Sequence, residues 1–383
     1  MHFACERGPI TGFYQALTLD IPQEVTQEAL TGAVQALLDR HDALRMRLSL
    51  DRRAEILERV DARLLVRRGP AADPAAVAAG LSPHDGVMAQ VEWTPGRVLV
   101  AIHHLAVDGV SWRILAEDLR DALAGREPAP VPVSFRRWAR ELRERAERAR
   151  GELPYWLELL AEPEPPLGAR ALDPARDTVA TARRLTLTVP APDPAAFHAR
   201  PDDLLLAALA TALRRRRGLR RVLVDVEGHG RDLEELDTSR TVGWFTKMYP
   251  VRLDTAEDVR QVKERLRAVP GQGLGYGLLR YLDPDAGPRL AAAPGRPQIG
   301  FNHLGRIGAA DGAPAAGSDP GTPLVHALSL TTLIAGGELR ATWSYAGEIL
   351  TEDEVRELAG HWAGALAEIA KQPGGHTPPT SRW

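Results

Sequence analysis

Apolar positions along this chain recur with two periods, two residues in short runs and three to four in longer ones, so strands and helices alternate. Residues 15–21 (QALTLDI) alternate and predict a strand. Pro22 onward predicts an amphipathic helix, with Leu30, Val34, Leu37 and Leu38 on one stripe, ended by His41-Asp42. Residues 44–48 alternate again, and 98–102 form a wholly apolar strand. A helix is expected from about Ser111, with the Ser111 hydroxyl as its cap. Residues 135–160 read as one long charged helical stretch, with Trp138, Leu142, Tyr155, Trp156 and Leu159 as its apolar positions. Residues 162–177 are rich in proline and lack apolar periodicity, which is the composition of a connector. A second series follows: strand 184–189, an apolar helix over 203–213, strand 222–226, a Gly/Ala-rich surface loop over 308–322, strand 339–345 and an amphipathic helix over 352–369.

These elements divide into a lobe over 1–165, a linker over 166–180, a lobe over 181–371 and a loose Pro/Gly-rich tail over 372–383. The fold class expected is α/β (α+β) in two lobes of similar size, with the active site in a cleft between them. At 383 residues, 44% hydrophobic and 26% charged, the chain has the composition of a soluble globular protein. A net charge of −3 gives nucleic acid no electrostatic footing. Lysine occurs only at Lys247, Lys263 and Lys371, which reads as coding bias toward arginine. Cys5 is the single cysteine, so no internal disulfide forms, and with no apolar run of membrane length a cytoplasmic protein without membrane attachment is expected.

The candidate chemistry begins at residues 103–112, HHLAVDGVSW. Adjacent residues on a strand face opposite ways, so one of His103 and His104 is expected to pack and the other to face the cleft. The same geometry disfavours a metal, because neighbouring histidines on a strand chelate poorly, and no metal site is expected. A histidine there would suit proton transfer near neutral pH. Asp108, with Gly109, reads as structural, and a buried carboxylate needs a cation. Arg45 and Arg47, on one face of the 44–48 strand, are the candidates.

In the second half, Glu227 stands where an apolar strand leaves the core, in Glu227-Gly228-His229-Gly230-Arg231. Two readings stay open for it: a partly desolvated carboxyl with a raised pKa acting as base or acid, or a partner in a salt bridge to Arg231 or Arg240. His229 reads as a plain loop histidine, and Trp244, Phe245 and Tyr249 as core aromatics. Residues 271–277 (GQGLGYG) place glycine at every second position after a helix and Pro270, which is not a dinucleotide fingerprint. They suit close passage of the backbone past a ligand or another chain.

Together these motifs resemble the condensation-domain superfamily of nonribosomal peptide synthetases, whose mark is HHxxxDG. The Ser111-Trp112 extension, residues 203–208 (DLLLAA), Glu-Gly-His-Gly-Arg at 227–231, RTVGWFTKMYP at 240–250, the glycine loop and Phe301-Asn302-His303-Leu304-Gly305 resemble its epimerization branch, with His303 where Tyr is usual. The resemblance implies two chloramphenicol-acetyltransferase-like lobes forming a V with a central cleft. It implies inversion at Cα of an aminoacyl or peptidyl thioester, with His104 and Glu227 as the acid–base pair. Asn302 and backbone amides, and less strongly Tyr249, are then candidate donors to the enolate-like intermediate. His103, Asp108 and Gly109 support the site, and Ser111, Trp112, Gly273, Gly275 and His303 line the substrate tunnel. No cofactor is expected to be bound. The substrate arrives on the 4′-phosphopantetheine of a peptidyl carrier protein, supplied in trans or by a removed neighbouring domain, and the chain is expected to act as a monomer. The family's opening motif is matched only at its end, by His2-Phe3, so the chain reads as excised, shortened or wrongly started; residues 374–378 resemble the exit linker. A condensation domain forming a peptide bond, and an inactive domain that only recruits enzymes to a carrier, are the rival readings.

Overall fold

A computed structural model describes residues 8–51, 53–306 and 314–371. The elements in chain order begin with β1 (Tyr14–Asp20), α1 (Gln27–Arg40), β2 (Met46–Leu48), β3 (Ala54–Ile56), β4 (Val66–Arg68), α2 (Pro74–Ala78), β5 (Ala89–Thr94), β6 (Arg97–His103) and α3 (Gly109–Leu123). There follow α4 (Phe135–Arg148), α5 (Leu153–Leu159), β7 (Ala182–Pro190), α6 (Pro201–Arg217), β8 (Arg221–Gly228) and β9 (Lys247–Asp254). The chain continues through α7 (Val259–Arg267), α8 (Leu274–Leu282), α9 (Ala286–Ala292), β10 (Ile299–Arg306) and β11 (Ala315–Gly317) to β12 (Leu328–Ala335), β13 (Glu338–Ala346) and α10 (Glu352–Lys371).

Two compact units result, and they are not consecutive halves of the chain. The described residues of Met1–Arg145, His229–Thr246 and Ile307–Thr322 form the first. Those of Ala146–Gly228, Lys247–Arg306 and Pro323–Trp383 form the second. The segment just after Glu227 thus belongs with the N-terminal residues, and 146–165 belongs with the C-terminal ones.

The first unit is built on a sheet of order β11-β1-β6-β5-β4, antiparallel except between β4 and β5. Strand β6 is buried almost throughout, which explains its unbroken apolar run. Helix α1 starts at Gln27, five residues after Pro22, because the Thr26 hydroxyl accepts from the Ala29 amide and caps it there. Residues 42–45 form a tight turn and only Met46–Leu48 is strand, so Arg45 and Arg47 do not share a strand face. The region expected as a loop over 308–322 contributes β11, which pairs with β1; its residues 308–313 lie outside the described residues.

The second unit carries a six-stranded sheet of order β7-β13-β12-β10-β8-β9. Strand β10 pairs in parallel with β8 and β12, while the β12–β13, β13–β7 and β8–β9 pairs are antiparallel. Its core runs through the sheet and the helices packed on it, and α6 is buried along most of its length. The carboxylate of Asp203 reaches back to the Arg200 amide at 2.7 Å, so the helix begins at Pro201, before the apolar run. Trp362 of α10 donates to the Leu205 carbonyl at 3.1 Å and meets Trp343 of β13 edge to face, locking α10, α6 and the sheet together. The stretch 135–160 is broken into α4, a turn over Ala149–Glu152, and α5. The tail at 372–383 and His2-Phe3 lie outside the described residues.

Candidate functional site

In the first unit β6 delivers His103 and His104 to the start of a one-turn helix, His104–Ala106. His103 is fully buried. Its Nδ1 accepts from the Leu105 amide at 3.3 Å, so its Nε2–H donates to the Ile10 carbonyl at 2.7 Å. Burial pulls its pKa down to about 4, and it stays neutral. His104 is only partly buried, and it opens the one-turn helix rather than continuing the strand on which alternation was expected. Its ring lies flat on Phe13, with centroids 4.5 Å apart at 14°, and meets Trp244 at 4.8 Å. Its Nε2 is 2.9 Å from the Gln15 side-chain nitrogen. Desolvation lowers the His104 pKa, opposed by its own backbone, Asp108 and the backbone of Val107.

Asp108 caps α3 by accepting from the Ser111 amide at 2.8 Å, which replaces the cap expected from Ser111. Gly109 opens the helix. The cation beside Asp108 is Arg231, at 3.2 Å, and this corrects the expectation of Arg45 or Arg47. Arg45 is spent on the Leu38, Asp39 and Leu57 carbonyls, and Arg47 on Glu55. Asp108 also accepts from the Phe245 amide at 3.2 Å. Arg231 in turn grips the Thr238 and Thr241 carbonyls and covers the Phe245 ring at 3.8 Å. Asp108 therefore pins residues 229–246 onto the turn that carries His104. Ser111 is fully buried, bonded to Asp108 and to the backbone of Gly243. Trp112 is 4% exposed. Trp112 lines an apolar cavity of the first unit together with Val100, Ile102 and Leu115.

In the second unit Glu227, near the end of β8, lies beside Met248 of β9. Its Oε2 accepts from the Asn302 side chain at 2.6 Å. Arg231 and Arg240, its two suggested salt-bridge partners, are taken instead by Asp108 and by Glu117 and Asp118. Desolvation pushes the Glu227 pKa up to about 7; His326 opposes the shift and Asp225, two residues back on the same strand face, adds to it. His326 is itself tied to Asp225 at 2.8 Å and lies over Gly300, where a Cβ would meet its ring nitrogen at 2.6 Å. A carboxyl held near neutral pKa can accept or return a proton at physiological pH.

His303 follows Asn302 and points to the opposite face of β10, where it bonds Thr332 at 2.9 Å and burial lowers its pKa to about 4. Gly273 takes a left-handed backbone (φ +87°) and a Cβ there would enter the Tyr249 ring; a Cβ on Gly275 would enter the Glu152 carboxylate. The close passage these glycines permit is past the chain's own Tyr249 and Glu152. Gln15, Phe13, Arg231, Asp225 and His326 went unnoticed as site residues. Gln15 gave no distinct signal, since it is one polar position of an alternating strand, whereas Arg231 stood in the 227–231 motif. Among the described residues no group of three or more His, Cys, Asp and Glu is placed to hold a metal, and no helix is long and apolar enough to cross a membrane.

Comparison with known proteins places this architecture. The solved epimerization domain from the third module of tyrocidine synthetase B superposes with a TM-score of 0.81 at 28% identity, covering 96% of this chain and 94% of that one. A linear gramicidin synthase protein of Brevibacillus parabrevis is 34% identical over 98% of this chain, and chondramide synthase cmdD of Chondromyces crocatus 34% over 94%. The chain spans only 6% and 10% of the lengths of those two relatives. The family model described as "Condensation domain" matches residues 88–377, and the chain therefore belongs to the condensation-domain family.

Proposed function

We propose that this chain inverts the Cα stereocentre of an aminoacyl or peptidyl thioester carried on the phosphopantetheine of a peptidyl carrier protein. The observation that carries the reading is Glu227: a carboxyl in Glu-Gly-His-Gly-Arg, free of any arginine partner named for it, with a pKa of about 7. Epimerization removes the Cα proton and returns one to the opposite face, so two proton carriers are required. His104 of the first unit and Glu227 of the second are those carriers. The thioester carbonyl acidifies Cα–H, and the carbanion's charge passes to the carbonyl oxygen. Each positioned carrier contributes about 10²–10⁴-fold. Asn302 holds Glu227 through one amide N–H, and its second N–H is the candidate donor to the enolate-like oxygen.

Peptide-bond formation, the rival reading, needs a base for an incoming amine but no second proton carrier at Cα. Chiral analysis separates the two. A carrier loaded with an L-aminoacyl thioester is incubated with the protein, and the product is released and resolved. A mixture of L and D forms supports the proposal; a longer peptide in the presence of a second loaded carrier, with the L centre retained, supports condensation.

A further inference from the structure

His104 can present a lone pair at Nε2 or at Nδ1, and an acid–base role depends on which. Three side chains of the first unit decide it. Trp112 Nε1–H is a donor only, and it lies 2.7 Å from the Gln15 side-chain oxygen. Were the Gln15 amide turned over, two donors would face one another at that distance, so its oxygen belongs to Trp112. The Gln15 nitrogen, also a donor only, then faces His104 Nε2 at 2.9 Å. Nε2 must accept. A neutral imidazole whose Nε2 accepts carries its proton at Nδ1, which is buried with no hydrogen-bond partner of its own among the described residues, so the assignment rests on the Gln15 contact.

We propose that Trp112 and Gln15 form a relay that fixes His104 as its Nδ1–H tautomer, with the Nε2 lone pair held ready, and that opposes the imidazolium. Gln15 is a positioning residue, and Trp112 positions it in turn. The ring cannot evade the relay by tilting, because Phe13 stacks on one face and Trp244 lies against it. Residue 15 is placed by β1, where it pairs with Ile102, two residues before His104. Trp112 is placed by α3, which starts where Asp108 caps it. The charged or titratable groups bearing on the ring are Asp108, which favours the imidazolium, and neutral His103.

The catalytic consequence rests on the proposed function. The lone pair that accepts from Gln15 is the one that takes the Cα proton, so substrate must displace the Gln15 N–H. The proton then adds at Nε2 and the C–H electron pair stays on the thioester. The ring becomes an imidazolium that Gln15, still held by Trp112, cannot stabilise, which favours handing the proton on.

Ring ¹⁵N–¹H correlation spectra of the full chain labelled with ¹⁵N-histidine test the relay without reference to activity, with His104 assigned by its loss in His104→Asn. The relay predicts a protonated Nδ1 and an unprotonated Nε2 at pH 7.5. Gln15→Glu supplies an acceptor to both neighbours, so Nε2 becomes protonated, the His104 titration moves up by at least about one pH unit, and Cα exchange falls by about 10²-fold or more through kcat with KM little changed. Trp112→Phe frees Gln15 to turn and gives mixed tautomers. An Nε2–H tautomer in the unsubstituted protein, or an unchanged tautomer in Gln15→Glu, overturns the relay. The unsubstituted spectrum decides even if a variant misfolds. The tautomer as predicted with no exchange on any carrier keeps the relay and removes the epimerase reading instead.

Discussion

Replacing Asp108 by Asn should release residues 241–246 from the turn that carries His104. The carboxylate is 4% exposed and its partner Arg231 is buried with it. An amide in its place can still accept from the Ser111 amide, so the helix cap of about 1 kcal/mol is largely kept. What is lost is the counter-charge: breaking a buried ion pair from one side costs about 3–5 kcal/mol, because the remaining charge stays desolvated. The bonds to the amides of Gly243, through Ser111, and of Phe245, through Asp108, lie at the focus of that loss. A local cost of about 3 kcal/mol is a factor of roughly 10² in an opening equilibrium. Hydrogen exchange followed by mass spectrometry should therefore show the peptide over 241–246 exchanging about 10²-fold faster in Asp108→Asn. The core of the second unit, exemplified by α6, should be unchanged, since local openings are measured segment by segment. The double variant Asp108→Asn/Arg231→Met, which removes both charges, should recover part of the protection and give a coupling energy above about 1 kcal/mol. Unchanged protection in Asp108→Asn, or strict additivity in the double variant, would refute the reasoning that this pair ties 229–246 to the histidine turn.

Glycine substitutions should separate close approach from open space. Gly273→Ala must place a Cβ in the Tyr249 ring on a left-handed backbone and should cost about 2–4 kcal/mol in a urea titration, whereas Gly277→Ala, inside α8 with nothing within 4 Å, should be neutral or gain up to about 1 kcal/mol. The raised pKa of Glu227 means that the folded protein holds its proton more tightly than the unfolded chain. Its contribution is full below the ordinary carboxyl range and is lost as pH rises through about 7, so Glu227→Gln should flatten the fall in stability between pH 4.5 and 7. For His303, with a pKa lowered to about 4, the sign reverses: stability is full above about 6.5 and falls as pH drops toward 4. His303→Gln should reduce that acid loss in melts at pH 5 compared with pH 7.5.

Much of this was legible along the chain. The apolar stripes located α1, α6 and α10, and the wholly apolar runs located β6 and β8, because burial on both faces leaves no polar alternation to find. The strand reading left open which of His103 and His104 packs; His103 ends β6 fully buried, whereas His104 opens a one-turn helix that the period did not reveal. What the pattern left open was long-range pairing. Nothing local tells that Arg231 rather than Arg45 meets Asp108, since 123 residues separate the partners. For the same reason the return of 229–246 to the first unit is invisible to a reading that divides the chain at its proline-rich segment. The strand β11 was hidden by composition: alanine and glycine suggest a loop, and only β1 beside them makes them a strand. His303 and Asn302, adjacent in sequence, stand on opposite faces of β10, as neighbours in a strand do.

The central claim is that His104 and Glu227 exchange a proton at Cα, and solvent deuterium tests it most directly. A carrier bearing an L-aminoacyl-phosphopantetheine is incubated with the protein in heavy water, then mass and chirality are read after release. The account predicts one deuterium gained at Cα with a mixed L/D product, and loss of the mixed product in both His104→Ala and Glu227→Gln. Absence of deuterium across a panel of aminoacyl and peptidyl carriers, or full inversion surviving in Glu227→Gln, would contradict it.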